Sequence, residues 1–176
     1  TDSTILSELV SADTSERASL IRRIQKRSQV HRRGSVLLTG DAQQSIDQRL
    51  PFYGVESPST SERMEAFRHY SSSLALKACQ RAFAESQLAS DAITHLITIS
   101  CTGFYAPGVD CDLIHQLQLP SYVQRTHVGF MGCHAALNGL RVAHAFVEAD
   151  PTAVVLLCAV ELCSLHLQYG WNPEHV

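Results

Sequence analysis

Apolar residues recur along this 176-residue chain with two different spacings, and the spacing decides which element each stretch forms. Over about residues 61–86, Met64, Phe67, Tyr70, Leu74, Ala78 and Phe83 step by three, four or five, which predicts an amphipathic helix. Residues 4–29 read as another helix. The apolar runs His95–Cys101, His127–Gly132 and Ala153–Leu162 read as strands, and Val36–Thr39 as a short extended run stopped by Gly40. Asp110–Leu117 suggests a brief helix closed by Pro120, and Ala135–Glu148 a longer one. The longer helix ends at Asp150-Pro151, because the residue before a proline is pushed out of α geometry. In it, Leu137, Leu140, Ala143 and Val147 form the expected buried stripe, while Ala135, Ala136 and Gly139 are small enough to let it lie close to a sheet. Residues 41–62, with Pro51, Gly54 and Pro58, read as loop or linker. Strands alternating with helices predict one α/β domain, with a mostly parallel central sheet and helices on both faces.

Candidate chemistry centres on the stretch VGFMGCHAALNGL, Val128 to Leu140. An apolar run ends at Gly132, and Cys133 opens a segment of small helix formers. That order puts a thiol at a strand-to-helix junction, where free backbone N–H groups and the helix dipole favour a thiolate. Cys133 therefore reads as a nucleophile, with a buried structural cysteine as the competing reading. His134 is not its base, since adjacent side chains at a helix start diverge by about 100°.

Composition narrows the class. Hydrophobic residues make up 45% and charged residues 18%, which is globular usage. No apolar run approaches the roughly 20 residues that cross a bilayer, so no membrane partner is expected. Asp2, Glu8 and Asp13 with no apolar core argue against a secretion signal. The six cysteines mostly sit inside apolar stretches, as reduced thiols do, and the expected location is cytoplasmic. Net charge is −3, yet seven of the 14 Lys and Arg fall between Arg17 and Arg33. That cluster is either a solvated helix face or a site for an anion. Arg23 and Arg27, four apart on one helix face, suit the phosphates of a cofactor handle. Nucleic acid is not an expected partner: zinc-finger spacing, an aromatic-rich strand motif and a basic tail are all missing. No metal is expected either. The sequence has no CxxC pair, and Cys158 and Cys163 in one extended strand would point to opposite faces.

Three motifs carry a resemblance. SCTGFYAPGVD (Ser100–Asp110), VGFMGCHAALNGLR (Val128–Arg141) and VVLLCAVELCSLHLQ (Val154–Gln168) occur in this order. Together they resemble the type III polyketide synthases, the chalcone-synthase-like enzymes, and most closely the bacterial branch that makes small aromatic or pyrone products. The resemblance runs from about Arg22 to the C-terminus. It implies a thiolase-like fold of which the chain is a truncated N-terminal half, without the first strand and the C-terminal half.

The same resemblance implies an acyltransferase. Cys133 matches the nucleophile that takes a starter from an acyl-CoA and holds the chain as a thioester during decarboxylative Claisen extension with malonyl-CoA. Cys101 and Thr102 match residues lining the starter pocket, although Cys101 also reads as a buried cysteine at a strand end. Ala106 falls where the family turns sharply and pushes one side chain, larger in many relatives, toward the neighbouring subunit's cavity; the following Pro107 admits a cis bond. Arg23 and Arg27 align with basic residues that hold the phosphates of coenzyme A. Coenzyme A thioesters are then substrates, no cofactor is permanently bound, and the enzyme is a homodimer. The family's enolate-stabilising histidine and asparagine belong to its second half, and none of the nine histidines here matches that motif. His127, His144 and His166 read as strand- or helix-face residues. Residues 1–176 alone are therefore expected to make no polyketide. Two rival readings are a fatty-acid-type 3-oxoacyl condensing enzyme and a non-catalytic interaction or scaffold fragment.

Overall fold

The structure, a computed structural model, describes residues 15–30, 34–41, 43–44, 46–53 and 58–167. They fall into two compact units, a first of the residues before Thr60 together with His166 and the residue after it, and a second of Thr60–Leu165. In the first unit, helix α1 (Ser15–Ser28) ends where Gln29 takes a left-handed φ of 55°. Residues 4–14 of the expected helix lie outside the described residues, as does Gly54. Val36–Thr39 does not form the expected extended run. The Leu37 N–H donates to Ser35 Oγ at 3.2 Å and the Thr39 N–H to the Arg49 carbonyl at 2.8 Å, so a local side-chain turn and the end of the helix Ile46–Arg49 take up these backbone groups. Residues 41–62 are more ordered than a linker. They hold α2 (Ile46–Arg49), a 3-10 turn at Pro51–Tyr53 and the start of α3 (Thr60–Ser86).

The second unit runs α3, β1 (His95–Ser100), α4 (Val109–Leu117), β2 (Gln124–Gly129), α5 (Ala135–Ala149), β3 (Val155–Ala159). The three strands form one parallel sheet in the order β2-β1-β3, with Thr98 opposite His127 on one side and Cys158 on the other. All six residues of β1 are buried, as expected of a central strand covered on both faces. On one face Ile97 and Ile99 pack against Ala135, with Val128, Val142, Ala143, Phe146 and Leu157 around them. On the other, Thr98 Oγ1 lies 2.9 Å from His127 Nδ1, and Cys158 meets Cys79 of α3. His127 is thus a satisfied strand residue.

Both long helices turn a different face to the sheet than their large apolar residues suggest. In α3 the buried residues are Phe67, Ser71, Ala75 and Cys79, spaced by four, while Leu74 is 40% exposed. In α5 the buried residues are Ala135 and Gly139, and the expected stripe is overturned at Leu137, Leu140 and Val147, which are 61%, 57% and 43% exposed. The reason is distance. A Cβ on Gly139 would come within 2.5 Å of Ile99 Cδ1 and 3.2 Å of Leu157 Cδ1, so the helix backbone rides too near the sheet for a leucine.

The helix ends follow local rules. Gln118 caps α4 with φ 53° and ψ 44°, donating its N–H to the His115 and Ile114 carbonyls. Glycine adopts this conformation without the Cβ penalty. Gln118→Gly should therefore raise unfolding free energy by about 0.5–1 kcal/mol, read from urea midpoints. A lower midpoint would contradict the cap assignment. Asp150 closes α5 in extended geometry and its carboxylate accepts from the Thr152 N–H at 2.9 Å and hydroxyl at 2.7 Å. Those hydrogen bonds hold the Asp150 carboxyl below the ordinary carboxylate range.

Candidate active site

The carboxyl ends of the three parallel strands converge on one rim. Strand β2 stops at Gly129, three residues before the apolar run does, because Phe130 and Gly132 both take left-handed φ, 58° and 68°. Glycine reaches that region freely, whereas phenylalanine does so at a cost. The chain then enters a 3-10 turn, Gly132–His134, that leads into α5. Cys133 sits in this turn and is exposed. Neither Met131 before the turn nor His134 at the start of α5 supplies a side-chain cap. The backbone N–H groups at this helix end can thus favour negative charge close to the sulfur.

At the end of β1, Cys101 and Thr102 are drawn into the same rim. Cys101 is half-buried, and its Sγ donates to the Gly132 carbonyl at 3.5 Å, which joins it to the turn that carries Cys133. The Thr102 hydroxyl donates to Glu161 at 2.6 Å and accepts from the Leu162 N–H at 2.8 Å. Ala106 lies further along the same loop and is exposed, and its bond to Pro107 is cis. Phe104 and Phe130 make an edge-to-face pair at 5.9 Å beside the turn. Below them, Tyr105 donates its hydroxyl to Asp112, and burial together with that carboxylate pushes the phenol up. Arg125 binds Asp110 at 2.8 Å.

Glu161, which no motif reading singled out, is the hub of this rim. Its carboxylate accepts from the Cys101 N–H at 2.9 and 3.1 Å, from the Thr102 hydroxyl, and from Ser100 Oγ at 3.5 Å. One side chain past β3 thereby fixes the turn that follows β1. A signal was available: Glu161 is the one charged residue between Ala153 and Cys163. Glu161→Ala should cost about 1–2 kcal/mol of stability, since a charge-assisted acceptor is lost but the site is partly hydrated. Thermal unfolding would check this, and an unchanged midpoint would remove Glu161 from the hub. Cys163 ends the rim in a 3-10 turn, not in the extended strand expected of it. Partial burial pushes its thiol up, and the Glu161 charge adds to this. Among the described residues, no group of three His, Cys, Asp or Glu is arranged to hold a metal ion.

Arg23 and Arg27 belong to the first unit, exposed on α1 and four residues apart. His144 is exposed on α5.

Known proteins resemble this chain in sequence and fold. The profile of the family described as "Chalcone and stilbene synthases, N-terminal domain" matches residues 3–173. The α-pyrone synthesis polyketide synthase-like Pks18 of Mycobacterium tuberculosis is 33% identical over 125 residues, which cover 71% of this chain and 32% of that relative. The crystal structure of the C-terminal type III polyketide synthase domain of Steely1, a type I/III hybrid from Dictyostelium, superposes with a TM-score of 0.82 at 28% identity, covering 99% of this chain and 47% of that one. The 1,3,6,8-tetrahydroxynaphthalene synthase of Streptomyces coelicolor A3(2) superposes with a TM-score of 0.76 at 27% identity, over 94% of this chain and 44% of that one. The chain spans about a third of the length of the curated relative and under half of each solved chain.

Proposed function

The chain belongs to the chalcone and stilbene synthase family, with the thiolase-type α/β fold of its type III polyketide synthase relatives, and on that premise we propose that Cys133 is the acyl-carrying nucleophile of such an enzyme. The observation that carries this reading is the exposed thiol in the turn that leads into α5, at a helix end where neither Met131 nor His134 supplies a side-chain cap. The Cys133 sulfur attacks the thioester carbonyl of an acyl-CoA, the carbonyl oxygen gains negative charge, and the coenzyme A thiol leaves with a proton. Donors at the start of α5 stabilise that oxygen as the charge develops. The bound acyl group is then extended by decarboxylative condensation with malonyl-CoA.

Cys101, Thr102 and Ala106 would line the starter pocket, and the Glu161 bonds that fix the first two support this assignment. Arg23 and Arg27 would hold the phosphates of coenzyme A, as two exposed cations on one helix face can. The whole enzyme would act as a cytoplasmic homodimer with no permanently bound cofactor. Among the described residues, no helix is long and apolar enough to cross a membrane. The relatives named above are polyketide synthases, which favours this reading over a fatty-acid-type condensing enzyme.

Incubation of residues 1–176 with an acyl-CoA and labelled malonyl-CoA tests the proposal. The expected result is one acyl mass on tryptic peptide 126–141, which holds Cys133 and no other cysteine, and no extended product. Acylation confined to other peptides would end the nucleophile assignment. A robust multi-carbon product would end the view that extension needs more than this chain.

A further inference from the structure

The rim holds three thiols, Cys101, Cys133 and Cys163, where acyl transfer needs one. The Gly132 carbonyl that accepts from Cys101 Sγ at 3.5 Å belongs to the peptide bonded to the Cys133 nitrogen, so a single peptide unit separates the Cys101 sulfur from the Cys133 backbone. One side of this pair is held and the other can move. The Cys101 N–H is tied to Glu161 at 2.9 Å, whereas Gly132 has no heavy atom within 4 Å of where a Cβ would sit. Cys133 is exposed and Cys101 half-buried, so an oxidant small enough to diffuse to the surface reaches Cys133 before Cys101.

From this juxtaposition we propose that Cys101 and Cys133 form a reversible disulfide when a hydroperoxide attacks the site. The Cys133 sulfur takes one oxygen of hydrogen peroxide; the O–O bond breaks, and a sulfenic acid and water result. The Cys101 sulfur then attacks the sulfenic sulfur. The S–S bond forms, the S–O bond breaks, and the released hydroxide leaves as water with the Cys101 proton. In sum two thiols give up two electrons and two protons, and one peroxide becomes two waters. The disulfide keeps Cys133 in a form that other thiols can reduce, ahead of the irreversible sulfinic and sulfonic acids. Cys163 is the rival partner, exposed and near enough to Cys133 for charge on one to act on the other; Cys101 is preferred because its Sγ donates to the Gly132 carbonyl, next to the Cys133 nitrogen. The inference rests on the Cys101 sulfur lying against the turn that carries Cys133 and is read by mass, so it stands or falls independently of acyl transfer.

The test exposes the 176-residue chain to hydrogen peroxide, alkylates the remaining free thiols and digests with trypsin without reduction. Cleavage after Arg81, Arg125 and Arg141 puts Cys101 and Cys111 on peptide 82–125 and Cys133 on peptide 126–141. The expected product is these two peptides joined, two hydrogens lighter than their sum, with fragmentation placing the bond at Cys101 and dithiothreitol reversing it. Cys101→Ser, which keeps a hydroxyl for the Gly132 carbonyl, should lose the link and carry added oxygens on 126–141, at least about tenfold more than the unaltered chain. Cys163→Ser should cross-link as the unaltered chain does. Equal oxygen gain on 126–141 with and without Cys101, or linkage of 126–141 to the peptide holding Cys163, would overturn the proposal.

Discussion

Replacing Cys133 with alanine should slow acyl transfer from coenzyme A by roughly 10³-fold or more, equivalent to about 4 kcal/mol of transition-state stabilisation. Removal of a nucleophile leaves only binding and backbone donors, which raise the reactivity of water but form no acyl-enzyme. The side chain is exposed, so stability should change by no more than about 0.5 kcal/mol. That contrast separates a chemical role from a folding one. Cys133→Ser should retain a trace of transfer, because a hydroxyl is a far poorer nucleophile than a thiol at neutral pH. The measurement pairs release of free coenzyme A thiol with the mass of peptide 126–141, beside a urea titration of each variant. Transfer at the unaltered rate in the alanine variant would leave the thiol with no part in the reaction.

A second large effect should appear at the loop after β1. A Cβ on Gly103 would lie 2.1, 2.3 and 2.6 Å from three ring atoms of Phe67, whose ring is 1% exposed and has nowhere to retreat. Gly103→Ala should therefore cost about 3 kcal/mol or force the loop outward, and with it Thr102 and the rim. Phe67→Ala should cost about 3–5 kcal/mol through the cavity it leaves. The double variant should be less destabilised than the sum by at least about 1 kcal/mol, because the cavity accepts the new methyl group. Urea unfolding of all four proteins gives the cycle, and strict additivity would show that the two residues do not share that space.

Much of this architecture was readable from apolar spacing alone. The order of strands and helices follows from whether apolar residues recur every second position or every third and fourth, and β1 as a buried strand is plain from HLITIS. The helix faces were harder. Leu137 and Leu140 read as core because hydrophobicity ranks them there, but the close approach at Gly139 reserves that face for small side chains. Apolarity also hid the end of β2, since GFMG is as greasy as a strand and yet turns twice into left-handed backbone. Cys133 could be located by its place after an apolar run, and Cys101 only through the family motif around it. Glu161 offered only its lone charge between Ala153 and Cys163, and its partner was hidden because the bond to the Cys101 N–H spans 60 residues of sequence.

The rod that begins just after Cys133 also bears Leu137 and Leu140, both bare to water, one and two turns further along. A surface coming to rest on those leucines would shut bulk solvent away from the neighbouring sulfur as well. Bulky alkylating reagents should then be slowed more than small ones. Any cover on that helix would thus govern access to the thiol, with the stiffness of a single helix as the connecting lever.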